Sequence, residues 1–171
     1  MITAICPGSY DPVTNGHVDV ITRAAGIFDR VVVGVVGTPH HKSPMFTIEE
    51  RVEFLHSALA HLDNVEVDVF RELVVEFAHK WEAKAIVKGL RVISDFEWEF
   101  QMNQLNRHLA PDVETVYVMA SPNVSFVSSS GVKEIAAFGG DVSALVPEPV
   151  AREFKKKFPA GRPGTPENPG D

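Results

Sequence analysis

Short β-branched apolar runs alternate along the chain with stretches whose apolar positions recur every three or four residues. Residues 2–6 (ITAIC) and 31–36 (VVVGVV) are too short for buried helices and have the composition of strands covered on both faces. Residues 65–69, 85–88 and 113–119 supply three further strands. Thr47 and Glu50 are spaced as a capping box, and Ile48, Val52, Leu55, Leu59 and Leu62 follow at intervals of four and three, which predicts an amphipathic helix. Ser94 and Glu97 repeat the capping spacing and predict a helix running to Leu109, ahead of Pro111. A shorter helix is predicted over residues 73–81, with Val74, Phe77 and Trp81 on its apolar face. Five strands separated by helices imply right-handed crossovers and a doubly wound parallel sheet of α/β class, with ligands at the carboxyl ends of the strands. One domain over residues 1–158 is expected. Residues 159–171 contain four prolines and three glycines and are expected to form a disordered tail. Lys155, Lys156 and Lys157 read as the solvated last turn of a helix, where cations suit the dipole.

Composition narrows the classes. The 171 residues are 44% hydrophobic, enough for one core. Sixteen Lys and Arg against 23 Asp and Glu give a net charge of −7, the wrong sign for a general nucleic-acid or anionic-membrane binder. Cys6 is the only cysteine, which excludes an intrachain disulfide and any zinc site with two thiolates from one chain. No apolar run approaches a membrane span of roughly 18 residues, and Asp11, His17 and Asp19 interrupt the segment where a signal peptide would be apolar. A soluble cytoplasmic protein is expected.

Candidate chemistry collects after strands. Pro7-Gly8-Ser9-Tyr10-Asp11-Pro12-Val13-Thr14-Asn15-Gly16-His17 follows the first strand and leads into a helix. Such a segment is either a plain turn or the first βα turn of a nucleotide site, where backbone N–H groups and a helix N-terminus favour an anion. There is no G-x-G-x-x-G and no Walker loop. Lys88-Gly89-Leu90-Arg91, after the fourth strand, suits phosphate groups or a surface turn. Asp95, Glu99, Asn103 and Asn106 share one helical stripe, by default a solvated face. Ser125-Phe126-Val127-Ser128-Ser129-Ser130 precedes a helix start, where one serine suffices as cap and the others can hold a phosphate. Lys42 lies on the ligand edge. His40 and His41 read as loop residues, and His79 and His108 show no partner. Asp11 and Asp19 are candidates for acid/base work or for local structural bonding.

Taken in order, PGSYDPVTNGH, KGLR, DFEWEFQMNQLNRH and SFVSSSGVKE resemble the bacterial phosphopantetheine adenylyltransferases, within the (H/T)xGH nucleotidyltransferases. The resemblance extends from Ile2 to Phe158. It implies a Rossmann-like fold, ATP and 4′-phosphopantetheine as substrates, dephospho-coenzyme A and pyrophosphate as products, Mg²⁺ assistance, coenzyme A as a feedback ligand and a homohexamer. On matching positions it implies His17 as transition-state stabiliser and Ser9 and Tyr10 in the first phosphate loop, Ser9 also near the acceptor phosphate. It implies Lys42 and Lys88 on the acceptor phosphate, with Val74 and Asn106 along the pantetheine arm. Gly89, Leu90, Arg91, Glu99, Val124, Ser125, Phe126, Val127, Ser128, Ser129 and Ser130 would complete the ATP site. Ser9 stands where threonine is frequent and Lys88 where arginine is. Gly131 stands where leucine is expected, at a cost of about 1 kcal/mol in helix propensity, and is expected to loosen the serine turn. Two other readings compete: a different nucleotidyltransferase of the superfamily, and a non-catalytic nucleotide-binding module.

Overall fold

The computed structural model describes residues 1–37 and 43–159 and, over residues 93–95, the backbone alone. Lys42, His40, His41 and the expected tail beyond Pro159 lie outside the described residues. Strands β1 (Thr3–Gly8), β2 (Arg30–Val36), β3 (Val65–Phe70), β4 (Ala85–Leu90) and β5 (Glu114–Met119) form one parallel sheet in the order β3-β2-β1-β4-β5. Helices are α1 (Asn15–Ala25), α2 (Ile48–Leu59), α3 (Val74–Lys80), α4 (Ile93–Leu109), α5 (Ser129–Ala137) and α6 (Glu148–Lys157). This is the doubly wound, Rossmann-like sheet that the pattern predicts.

Strands β1 and β4 run two residues past their predicted ends. Pro7 and Gly8 pair in register with Gly34 and Val35, and Lys88, Gly89 and Leu90 with Tyr117, Val118 and Met119. Their neighbours impose the strand on residues of poor β-propensity.

Alternate strand residues feed the two faces. Ala4, Cys6, Val31, Val33, Val35, Ala85 and Val87 pack with α1, α2, α5 and α6. Ile5, Val32 and Ile86 pack with Val75, Phe77 and Ala78 of α3 and with Ala110 and Val113. Burial on both faces is why the strands read as unbroken apolar runs. The α2 capping box forms as predicted, Glu50 N–H donating to Thr47 Oγ1 at 3.2 Å and Thr47 N–H to Glu50 Oε2 at 2.7 Å. The α4 box does not: the chain turns from β4 into helix within two residues, and Val92 is the N-cap without a side-chain cap bond. Helix α4 leaves Phe96, Trp98, Phe100, Leu105 and Leu109 exposed. Because β2 lies on one side of β1 and β4 on the other, the strand order reverses at β1/β4 and a crevice opens at their carboxyl ends.

Candidate active site

The loop from β1 to α1 is held from inside. Tyr10 sits at φ 48, a left-handed conformation that costs a non-glycine residue about 1 kcal/mol. It is secured by burial and by its hydroxyl, which donates to Cys6 O at 2.8 Å. A Cβ on Gly8 would stand 3.1 Å from the Tyr10 ring, so a side chain there would have to push the ring by a few tenths of an ångström. Thr14 then caps α1: its Oγ1 accepts His17 N–H at 3.4 Å, while Thr14 N–H donates to His17 Nδ1 at 3.0 Å. This is a capping box with histidine in the place of the usual glutamate.

That bond fixes the tautomer. Nδ1 accepts an N–H and so carries no proton, which leaves the hydrogen on Nε2. Burial, and after it the charge of Arg91, push the imidazole down from 6.5 to about 4. His17 is therefore a neutral Nε2–H donor at pH 7, its ring edge-on to Tyr10 with centroids 5.1 Å apart.

A crevice of about 490 Å³ occupies the switch point. Tyr10, His17, Lys88, Gly89, Arg91, Glu99, Val124, Val127, Ser128, Ser129 and Ser130 all line it. Ser9, Leu90, Ser125 and Phe126 do not. Ser9 is exposed and its carbonyl accepts from Arg51 at 2.8 Å. Leu90 turns its side chain into the interior and its carbonyl accepts Ala120 N–H at 2.8 Å. Ser125 donates to Pro122 O at 3.2 Å, and Phe126 is 71% exposed. Two serines of the triplet hold structure: Ser128 Oγ caps α5 by accepting Gly131 N–H at 3.0 Å, and Ser129 Oγ donates to Pro12 O at 2.8 Å. The cap forms on Gly131 itself. Arg91 reaches across to Val127 O at 3.3 Å. A Cβ on Gly89 would meet Val20 of α1 at 2.9 Å, so glycine lets α1 approach the end of β4.

A second cavity of about 150 Å³ adjoins the first and is lined by Val74, Met102, Asn103, Asn106, Thr115 and Tyr117. Lys88, Trp98 and Glu99 line both, with Lys88 Nζ 3.6 Å from Glu99 Oε1. The α4 stripe of Glu99, Asn103 and Asn106 therefore faces a cavity, which corrects its default reading as a solvated face. Trp98 was missed, because only the packing of α4 over the sheet brings it to the junction.

Asp11 and Asp19 do structural work at long range. Asp19 accepts from Ser121 N–H at 3.2 Å and Ser121 Oγ at 2.8 Å, and Asp11 binds amides and a lysine described below. His79 has a partner after all, Asp112 Oδ1 at 3.1 Å. Among the described residues no group of three His, Cys, Asp or Glu could hold a metal ion, and Glu99 is the one carboxylate lining the crevice. That donor set suits a magnesium ion arriving on phosphate oxygens, the usual habit of that cation.

The sequence comparisons agree with this geometry. Residues 5–135 match the cytidylyltransferase-like family model. The chain is 52% identical to the phosphopantetheine adenylyltransferase of Caldanaerobacter subterraneus subsp. tengcongensis, over 92% of this chain and 98% of that protein. The chain belongs to the phosphopantetheine adenylyltransferase family. The family member from Alkaliphilus metalliredigens is 50% identical over 92% of this chain and 99% of its own length. A solved structure from Vibrio parahaemolyticus, described as a nicotinate-nucleotide adenylyltransferase, superposes with a TM-score of 0.66 at 17% identity over 92% of this chain and 93% of that one, a likeness of fold alone. Membership of the adenylyltransferase family is what the four sequence segments imply. No helix among the described residues is long and apolar enough to cross a membrane.

Proposed function

We infer that the chain transfers the adenylyl group of ATP reversibly to 4′-phosphopantetheine, giving dephospho-coenzyme A and pyrophosphate in coenzyme A biosynthesis. The observation that carries this reading is a neutral His17 donor in a crevice that joins a second cavity through Lys88.

The nucleophile is a phosphate monoester whose second pKa is about 6, so it is largely ionised at neutral pH and needs no general base. The difficulty is to bring a dianion to the α-phosphate of ATP, and the chain's groups address charge and alignment. In this reading ATP lies in the larger crevice, against Gly89, Arg91, Glu99, Val124, Val127 and the serines from Ser128 to Ser130. The acceptor phosphate meets Lys88 and Lys42, and the pantetheine arm follows Val74 and Asn106 through the smaller cavity. His17 Nε2–H donates to a non-bridging α-phosphate oxygen as negative charge builds there, and the N-terminus of α1 adds its partial positive charge. A neutral imidazole held near pKa 4 donates this bond without surrendering its proton. Mg²⁺, when bound, neutralises phosphate charge, with Glu99 as its nearest carboxylate in the crevice.

The same reading includes a cytoplasmic homohexamer. Its support is the exposed apolar residues of α4, Phe96 and Phe100 on one side of the helix and Trp98, Leu105 and Leu109 on the other, which a solitary chain leaves in water. Coenzyme A, which resembles the product, would compete for the two joined cavities as a feedback ligand.

The test is pyrophosphate release from ATP and Mg²⁺ with 4′-phosphopantetheine, pantetheine or nicotinate mononucleotide as acceptor. Turnover is expected with the first alone. Equal turnover of nicotinate mononucleotide would assign the chain to another transferase of the superfamily. No turnover with any acceptor, despite ATP binding, would make it a nucleotide-binding module.

A further inference from the structure

Two segments that border the crevice, and with them the entry to α2, converge on one buried carboxylate. Asp11 is 6% exposed. Its Oδ1 accepts Met45 N–H at 3.1 Å and Phe46 N–H at 2.9 Å, and its Oδ2 accepts Met45 N–H at 3.0 Å and Lys133 Nζ at 2.8 Å. Asp11 belongs to the phosphate loop that ends at His17. Met45 and Phe46 enter α2 just after the segment that carries Lys42. Lys133 sits on α5 one turn beyond Ser129 and Ser130, which line the crevice.

Two further side chains tie these segments together. Arg51 of α2, 1% exposed, donates to Ser9 O at 2.8 Å and Val36 O at 3.1 Å, so it grips the phosphate loop and the end of β2 together. Ser129 Oγ donates to Pro12 O. Neither Asp11 nor Lys133 lines the crevice.

We propose that Asp11 and Lys133 are a positioning pair for adenylyl transfer: the ion pair sets the distance between the phosphate loop that ends at His17 and the nucleotide side at the start of α5. The inference rests on the activity read above. Among the described residues Lys133 supplies the one ammonium in contact with a carboxylate that already binds two backbone amides. Burial would raise the Asp11 carboxyl, and the Lys133 bond and the two amides outweigh it and hold the group below its ordinary value. Without Lys133 the charge on Asp11 is poorly balanced, its hold on Met45 and Phe46 weakens, and the loop that carries His17 drifts relative to the start of α5. In-line transfer is sensitive to displacements of about 1 Å, which can cost on the order of a hundredfold in rate.

The experiment uses the full chain with Lys133→Met, Lys133→Arg and Asp11→Asn. It measures amide hydrogen exchange at Met45 and Phe46, melting temperature, ATP affinity, and kcat and KM for each substrate. In Lys133→Met, exchange at the two amides is expected to accelerate about tenfold or more and kcat to fall by about tenfold to a hundredfold. ATP affinity is expected to stay within about threefold, and Lys133→Arg is expected to restore both exchange and kcat. Unchanged exchange, or activity lost only in proportion to the folded fraction, would overturn the proposal. If Lys133→Met does not fold, Asp11→Asn, which keeps an acceptor oxygen but drops the charge, decides on the same readouts. Failure of both to fold would show the pair to be structural and would also overturn it. A wild-type chain that does not use 4′-phosphopantetheine refutes the activity and leaves the exchange comparison to judge the coupling separately.

Discussion

Replacing His17 by asparagine separates its two jobs. In the structure Nδ1 accepts Thr14 N–H at 3.0 Å, which completes the α1 cap, and Nε2–H is the donor on the crevice side. Asparagine places Oδ1 near the position of Nδ1 and has no atom near Nε2, so His17→Asn keeps the cap and loses the donor. Glutamine does the reverse, and alanine loses both. A lost cap costs about 1 kcal/mol, which in a chain of this length lowers the melting temperature by about 2 to 4 °C. Loss of one donor aimed at developing charge costs about 10² to 10³ in kcat, or about 3 to 4 kcal/mol of transition-state stabilisation. His17→Asn should melt close to wild type with kcat down by that factor and ATP affinity little changed, because the bond strengthens only as charge develops. His17→Gln should melt lower and retain more activity than His17→Asn. Thermal melts, ATP calorimetry and pyrophosphate release check all three variants. A fully active His17→Asn, or kcat losses that follow the melting temperatures across the series, would refute the reasoning.

Lys88→Ala is expected to raise KM for 4′-phosphopantetheine and Arg91→Ala to weaken ATP, as read from steady-state kinetics; equal losses for both substrates in both variants would contradict the division. Gly131→Ala is expected to raise stability by ~0.5 kcal/mol, since the gain in helix propensity of up to about 1 kcal/mol is offset by a Cβ 3.1 Å from Ser128 Oγ, and a lower melting temperature would show that the cap hydroxyl cannot yield. Acidification should destabilise the protein in two stages. His17 is held below its unfolded value of 6.5, so its contribution is complete above 6.5 and disappears as pH falls from 6.5 to about 4, at most about 3 kcal/mol at about 1.4 kcal/mol per unit. Asp11, and Asp68 of β3, which accepts from Lys80 Nζ at 2.8 Å and Trp81 Nε1 at 3.0 Å, are held below 3.8, so their contribution is lost only as pH falls below that value. Urea unfolding at pH 7, 5 and 3 checks this, and His17→Asn should lose the first stage and keep the second.

The order of strands and helices was legible because β1 and β2 are buried on both faces and therefore uniformly apolar, and because α2 carries a capping box that forms. The added ends of β1 and β4 were not, since Pro7-Gly8 and Gly89-Leu90 become strand through their neighbours. The crevice residues around His17, Lys88, Arg91 and the serines were visible as segments following strands, where a doubly wound sheet places ligands. The cap role of His17 was not read, because histidine stands where a capping box ordinarily shows glutamate or glutamine. Helical spacing puts Glu99, Asn103 and Asn106 on one face, but whether that face meets solvent or a cavity is decided by what packs beside α4. The bond between Asp11 and Lys133 spans 122 residues, and no local pattern carries such a pairing.

The central claim is that His17 is a neutral imidazole protonated on Nε2 and held on Nδ1 by the phosphate loop. The direct measurement is a pH titration of the ¹⁵N and ¹H resonances of the His17 ring in the full chain. The account predicts a proton on Nε2 alone from pH 8 down to pH 5.5, with ionisation near 4 and at a higher pH in Arg91→Ala. Ionisation near 6.5, or a proton on Nδ1 at neutral pH, would contradict it.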